Sequence, residues 1–340
     1  MRNNVSYPTA EAALTAANIT WKLRTEPVYL ASEDGEAFGV IPKQVAIIRD
    51  DNRSFLGFAS EDYKPIAPME AFSMLDQVAE AHGLKFLSAH EIQGGRTVSL
   101  ESAMSTPIVL KAPDGTDDLL IPKVIWHTKN DATGSVRAAF AFFRLICSNG
   151  LTVPVHGAGF DMRFVHMGNI EEKIEATKNW LTDNRFHFDV LGEVFQNFMN
   201  ASLTGGEFNA YRDVVLRVDP KEVEPSSYQE ELQVDMGARW SDGVDAKYKG
   251  TVYGAYQAAT ASSDHARRFR TEGAWYHSTV LGKEAQRKTN ALYIAMGTTL
   301  RGGHDRLKEA VHSATAYGDL LHNGKAALND LYFEAKPSEN

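Results

Sequence analysis

The sequence predicts an α+β protein, an antiparallel hairpin sheet packed on helices and followed by a mainly helical C-terminal half. Three observations predict it. Two pairs of β-rich runs enclose turn residues, over residues 44–59 and 84–104, and a helical apolar stripe lies between them. Hairpin, helix, hairpin, further strand and helix is the order of an antiparallel sheet covered by helices rather than of alternating βαβ units. Past about residue 165 long helical patterns take over, so we expect an α+β core over residues 1–165 and a helical region over 166–340.

Residues 44–49 (QVAIIR) are β-rich, Asp50, Asp51, Asn52 and Arg53 are turn chemistry, and residues 55–59 return as a second strand. Pro68 then stands at the first turn of a helix whose stripe is Met69, Phe72, Met74, Leu75 and Val78, ending near His82 and Gly83. Residues 84–92 and 96–104 form the clearest hairpin, because Gly94 and Gly95 tolerate the positive φ of a tight turn. The run 119–127 is β-branched and aromatic, and its Pro122 predicts an edge or bulge position. Thr133 or Ser135 is expected to cap a helix over 136–147, closed by Asn149 and Gly150. Further helices are expected over 170–199, broken near Asp183 and Asn184, and over 251–270, 283–296 and 306–332, with an acidic, proline-containing loop over 219–227.

Composition narrows the function classes. Hydrophobic residues make up 43% and charged residues 23% of 340, the balance of a folded globular chain. Neither a spanning apolar run nor a secretory signal is visible, and the single cysteine, Cys147, excludes a disulfide framework and paired-cysteine zinc motifs. A cytoplasmic setting is the expectation. The formal charge of −9 argues against coating duplex DNA by bulk electrostatics, although residues 247–306 are locally rich in Lys and Arg.

Catalytic signatures are missing: there is no phosphate-binding Walker loop, no paired-histidine zinc helix and no nucleophile elbow. We therefore expect no catalytic residue, no metal site and no cofactor. Asp264 beside His265 is the sharpest remaining pair, but neighbours on a helix point roughly 100° apart, which favours a structural role.

Several stretches resemble one family. Residues 45–57 (VAIIRDDNRSFLG), Tyr63 to Pro68, Gly94-Gly95-Arg96, the Arg-x-x-Cys-x-Asn run 144–149, and 251–258 leading to Asp264-His265 occur in order. Together they resemble the phage and plasmid family catalogued as domain of unknown function 932. That resemblance implies a mobile-element setting near recombination and anti-restriction functions, where single-stranded DNA is common. A hairpin sheet followed by a helix is also similar, at the level of fold, to the single-strand annealing proteins of the Rad fifty-two, Beta and Erf type.

The function expected is non-catalytic binding and annealing of single-stranded DNA, with the sugar-phosphate backbone in a basic groove. Its candidate contacts are Arg49, Arg53, Lys64, Arg96, Lys123, Lys129, Arg137 and Arg144, with Trp126 and His127 as stacking groups and Arg267 and Arg268 in the basic C-terminal stretch. Arg96 leads the set, because adjacent glycines allow close approach of a phosphate to the backbone. Annealing proteins of this type act as rings or filaments, so a homo-oligomer working with host or phage recombination proteins is expected. Two other readings stay open. One is an accessory protein that binds a host defence or restriction component, which the acidic composition suits. The other is a metal-dependent nuclease using Asp264 and His265 with Asp161 or Glu193.

Overall fold

The computed structural model describes residues 6–31, 33–35, 37–134, 136–144, 162–164, 170–183, 185–216, 226–243, 246–265 and 282–335. It is α+β, with antiparallel sheets in the N-terminal half and a mostly helical C-terminal half. No helix among the described residues is long and apolar enough to cross a membrane.

The strands make two sheets. Strands β1 (Leu23–Ala31), β2 (Ala37–Arg49) and β3 (Phe55–Ser60) form a three-stranded meander. Strands β4 (Leu84–Ile92), β5 (Thr97–Met104), β6 (Ile108–Lys111), β7 (Asp117–Lys129), β8 (Val136–Arg144) and β9 (Met162–Phe164) form the larger sheet, in the order β4-β5-β7-β8-β9 with β6 also on β7. Both hairpins expected from turn chemistry are present. Helix α1 (Ala10–Ala16) and strand β1 had no such signal and add a layer ahead of them.

Residues 136–144 are strand β8, not the expected helix. Val136 and Ala138 are buried while Arg137 is exposed, a period of two, and β7 offers a full edge on which Leu120 to His127 pair with Arg144 to Arg137. Pairing with a long neighbour overrides the helix-friendly alanines. Cys147, Asn149 and Gly150 lie outside the described residues. Strand β7 is interior, yet Pro122 sits at a seam: on that side the β5 ladder ends at Lys123 and the β6 ladder begins at Leu120. Locally it has an edge, which a residue without an N–H requires.

The expected helix from Pro68 is two, α2 (Pro68–Ser73) and α3 (Leu75–His82), joined at Met74, and Gly83 closes the second with φ 64°. Helices α4 (Ile170–Asp183) and α5 (Phe186–Asn200) break where Asp183 and Asn184 predicted. They are followed by α6 (Gly205–Leu216), α7 (Ser227–Ala238), α8 (Val252–His265), α9 (Lys283–Thr299), α10 (Gly303–Ala310) and α11 (Ala314–Ala335). The last two were expected as one helix. The Ser313 hydroxyl accepts from the Ala316 N–H at 3.2 Å and so starts a new helix there. Residues 217–225, most of the expected acidic loop, and 266–281 lie outside the described residues.

One face of the larger sheet is apolar and packs on helices. Val98, Leu100, Val124, Trp126, Val136 and Ala138 on that face join Leu191, Val194 and Phe195 of α5 and Tyr253 and Tyr256 of α8 in one continuous core. Polar ties cross the same boundary: the buried Tyr248 hydroxyl donates to Asp118 at 2.8 Å, and Gln196 bonds both backbone groups of Lys111 at 2.8 and 2.9 Å. That side chain satisfies the open edge of β6 as another strand would.

Candidate nucleic-acid interface

The opposite face of the larger sheet is polar, and the register sets its composition. Residues directly across neighbouring strands share a face. His90, Ser99, His127 and Arg137 are opposite one another across β4, β5, β7 and β8, making a polar row across the sheet. Its centre is buried, with His90 and His127 each 8% exposed and Ser99 at 0%. Nearby, Lys123 and Glu101 are both buried and ion-paired at 2.9 Å.

Three of the expected contacts are therefore corrected. Trp126 lies on the apolar face at 0% exposure, and its indole N–H donates to Ser102 at 2.9 Å. A base cannot stack on a ring with no open face. His127 is buried in the polar row, and the Lys123 ammonium is committed to Glu101. Arg144 sits opposite Leu120 at the end of β8, and Arg267 and Arg268 lie outside the described residues.

Arg49 is the fourth correction. It is buried at the end of β2, where its Nε and Nη2 donate to the two carboxylate oxygens of Asp51 at 3.0 and 2.7 Å. Its Nη1 donates to Glu91 and, at 3.2 Å, to the carbonyl of Gly94, while the guanidinium plane covers the Trp21 ring at 4.3 Å. Burial lowers the Arg49 pKa, but the hydrogen bonds and charges of Asp51 and Glu91 outweigh it and leave the pKa raised. The Asp51 carboxyl is held below its ordinary value by the Arg49 hydrogen bond. Arg49 thus ties the β2–β3 turn to the β4–β5 turn, with four of its five N–H groups engaged and its guanidinium buried.

The glycine turn is shaped by that clamp. Gln93, Gly94 and Gly95 all have positive φ (52°, 66° and 96°), and Gly95 is buried: a Cβ there would stand 3.0 Å from both Arg49 Nη1 and the Trp21 ring. The close approach that glycine permits here is to Arg49, not to an open groove. Asn130, which no sequence signal singled out, locks the turn from β7 through its backbone N–H to the Arg96 carbonyl and its side-chain amide to the Gly95 carbonyl, both 2.8 Å.

What the clamp leaves exposed is a row of cations. Arg96 follows the glycine turn, beside the Thr97 to Lys129 pair of the β5–β7 ladder. Arg137 is opposite His127, so it is the diagonal neighbour of Lys129, a spacing of roughly 7–8 Å between such positions. Arg53 is exposed in the β2–β3 turn that Arg49 holds against the glycine turn. Among the described residues Arg53, Lys64, Arg96 and Arg137 have no ion pair, and Lys129 reaches only the Thr133 hydroxyl at 3.4 Å. Some other exposed cations find acids, as in Arg24 with Glu26 at 2.6 Å and Lys111 with Asp117, while Lys85, Arg301 and Arg306, elsewhere on the chain, likewise have no ion pair among the described residues.

The carboxylates of these turns are already engaged. Arg49 holds Asp51 and Glu91, and Asp131 accepts from the Thr133 N–H and hydroxyl at 3.0 and 2.6 Å. Strand β3 meets the Asp131 turn directly: a Cβ on Gly57 would lie 2.6 Å from the Asp131 carbonyl oxygen. Lys64 follows Tyr63, whose phenol pKa is raised by burial and then by the Asp131 charge. Arg53, Arg96 and Lys129 thus stand in or next to the turns where the two sheets meet, Lys64 follows Tyr63 in the chain, and Arg137 lies one diagonal step from Lys129 on β8.

Asp264 has a structural partner. It is 3% exposed and bonds Lys288 Nζ of α9 at 2.9 Å, with Lys288 at 0%. Among the described residues no group of three or more histidine, cysteine, aspartate or glutamate side chains is placed to hold a metal ion.

A family model described as "Domain of unknown function (DUF932)" matches residues 55–287, from β3 into α9. No curated protein and no solved structure matches.

Proposed function

The chain belongs to the DUF932 family, whose description names no activity, and from that premise we propose that it binds single-stranded DNA along the cationic junction of its two sheets. The observation that carries this reading is the set of exposed cations without acidic partners, Arg53, Lys64, Arg96 and Arg137 with Lys129, on a chain of net charge −9. In a protein with more acids than bases, unpaired cations gathered at one place are a local positive field. Phosphates are contacted by such Arg and Lys side chains without reading sequence. The anionic remainder of the surface disfavours a long duplex, whose two phosphate rows would meet it, more than a flexible single strand that follows the rim.

No step in this function needs a general acid or a nucleophile. The polar row and the Lys123 to Glu101 pair stiffen the sheet beneath the rim; Arg49, Asn130 and Glu91 position it. Annealing, assembly into a ring or filament, and work alongside recombination proteins are the finer form of the proposal and rest on the sequence reading alone, since the helix expected after the hairpin sheet is strand β8.

Titration of a fluorescent oligonucleotide followed by anisotropy tests the proposal. The expected result is salt-sensitive binding, tighter for a single strand than for a duplex of the same length, weakened by Arg96→Ala and unaffected by Lys178→Ala on α4. Equal binding by parent and Arg96→Ala, or no binding at low salt, overturns it. Sizing with and without oligonucleotide tests the assembly.

A further inference from the structure

The three turns that meet where the sheets join share a backbone feature. Among the described residues, five that are not glycine have positive φ: Asn18, Lys43, Arg53, Gln93 and Ala132. Three of these sit in the joined turns, Arg53 (φ 60°) between β2 and β3, Gln93 (52°) between β4 and β5, and Ala132 (64°) between β7 and β8. Left-handed backbone is costly for a residue with a Cβ, and glycine or asparagine is its usual occupant. The turns are held side by side. Arg49 joins Asp51, two residues before Arg53, to the Gly94 carbonyl next to Gln93, and Asn130 joins the third turn to the Gly95 and Arg96 carbonyls.

Gln93 stands apart in this group. It opens a run of three left-handed residues whose other two, Gly94 and Gly95, are glycines, yet it keeps a long polar side chain. That side chain is exposed, and among the described residues its amide bonds nothing, so no internal contact offsets the backbone cost. Its carbonyl accepts the Arg96 N–H at 3.5 Å, which sets Gln93 and Arg96 in one turn. A Cβ on Gly94, between them, would meet nothing within 4 Å, so the outside of the turn is open. Ala132 is half-buried and has no polar side-chain atom, whereas Arg53 is exposed like Gln93. Where a strained position holds an exposed polar side chain that does nothing for the fold, a contact outside the fold is the reason to retain it.

We propose that Gln93 is a further contact residue for the strand, its side-chain amide donating a hydrogen bond to an oxygen of the single strand beside the phosphate that Arg96 holds. This rests on the reading that a single strand binds at these turns, and adds a neutral contact to a set made of cations. The oxygen belongs to a phosphate or to the carbonyl of an unpaired base, and both accept from an amide N–H. A neutral group displaces no counterion, so this contact adds affinity without adding to the salt dependence.

The test is Gln93→Gly, which removes the amide and relieves the backbone together. Its affinity for an oligothymidylate is measured at several salt concentrations, and its melting temperature beside the parent's. The expected result is a loss of about twofold to tenfold in affinity, the range of one hydrogen bond, at the parent's salt slope, with a melting temperature at or above the parent's. Arg53→Gly relieves the same kind of backbone and is the charged comparison: it weakens binding and makes the slope shallower by about 0.7. Asn18→Gly, at the end of α1, leaves affinity unchanged. An abasic oligonucleotide of equal length identifies the oxygen. A Gln93→Gly loss on both strands assigns it to a phosphate, and a loss on the oligothymidylate alone assigns it to a base. Parent affinity in Gln93→Gly overturns the contact, and the cationic reading survives if Arg96→Ala still weakens binding. A lower melting temperature makes the side chain a brace of the turn, and a shallower slope makes its effect one on the cations; either overturns the contact. If the parent binds neither strand, both readings fall.

Discussion

Arg49 and Glu91 are ion-paired across the two sheets, with Trp21 stacked on the guanidinium and its indole N–H donating to the same carboxylate at 3.2 Å. One residue ends a strand of the small sheet; the other precedes the glycine turn of the larger one. Their union holds the turn that carries Arg53 against the turn that Arg96 follows.

Arg49 is buried, but Asp51 and Glu91 are 43% and 30% exposed, so water partly compensates the carboxylates once the guanidinium is removed. Arg49→Ala is therefore expected to destabilise the protein by about 1–2 kcal/mol in a denaturant titration, through the lost hydrogen bonds and the lost stacking on Trp21. Arg49→Lys recovers less than half of that, because an ammonium cannot chelate Asp51 through two nitrogens while lying flat on Trp21. A full recovery by lysine would show that charge alone holds the turns together.

Gly57→Ala places a Cβ 2.6 Å from the Asp131 carbonyl oxygen and 3.1 Å from its Cα, and backbone cannot swing aside as a side chain can. The expected loss is about 1–3 kcal/mol. Gly206→Ala in α6, with open space around it, is the control and is expected to be neutral or slightly stabilising. Equal melting temperatures for the two variants would contradict the close packing of β3 on the Asp131 turn.

Glu207 makes a capping box at the start of α6: its carboxylate accepts from the Thr204 N–H at 2.9 Å and hydroxyl at 2.8 Å, and the Thr204 hydroxyl accepts from the Glu207 N–H at 3.3 Å. The Thr204 N–H foremost, then its hydroxyl, the Lys308 hydrogen bond and the interaction with His304, overcome burial and lower the Glu207 pKa from 4.5 to about 2. A depressed folded-state pKa gives stability that is complete above the unfolded value and is lost as pH falls. The parent is thus expected to lose this contribution between pH 4.5 and about 2, and Glu207→Gln to show a flatter profile across that window. Unfolding curves at several pH values check it; parallel profiles would contradict the assignment.

Asp264 and Lys288 are both buried, so Lys288→Ala is expected to destabilise by about 3–5 kcal/mol. The double change Asp264→Leu/Lys288→Met should lose much less, because no charge is then stranded. A structural pair also predicts that Lys288→Ala lowers stability without changing oligonucleotide affinity of the folded protein. Loss of affinity in the folded variant would give the pair a functional role.

Local signals were legible in the sequence, and long-range ones were not. The β2–β3 and β4–β5 hairpins follow from Asp50-Asp51-Asn52 and Gly94-Gly95, whose backbone preferences act within a few residues. Strand β8 was read as a helix because VRAAFAFFR suits either state until β7 supplies an edge to pair with. Family membership was legible because the motifs from residue 45 to 265 stand in order, and the match to residues 55–287 bears it out. For the candidate site, Arg53, Lys64, Arg96, Lys129 and Arg137 were singled out by residue type, and they are exposed. Arg49, Lys123 and Trp126 have the same chemistry and different surroundings, since burial depends on partners such as Glu91 and Glu101 that are distant in sequence.

The salt dependence of oligonucleotide affinity tests the cationic rim most directly. Each phosphate neutralised on a single strand contributes a slope of about −0.7 in log K against log salt. If Arg96, Lys129 and Arg137 each hold one, the triple glutamine variant binds more weakly and its slope is shallower than the parent's by about 2. A parent that does not bind, or a triple variant with the parent's slope and affinity, would contradict the assignment of this junction to DNA.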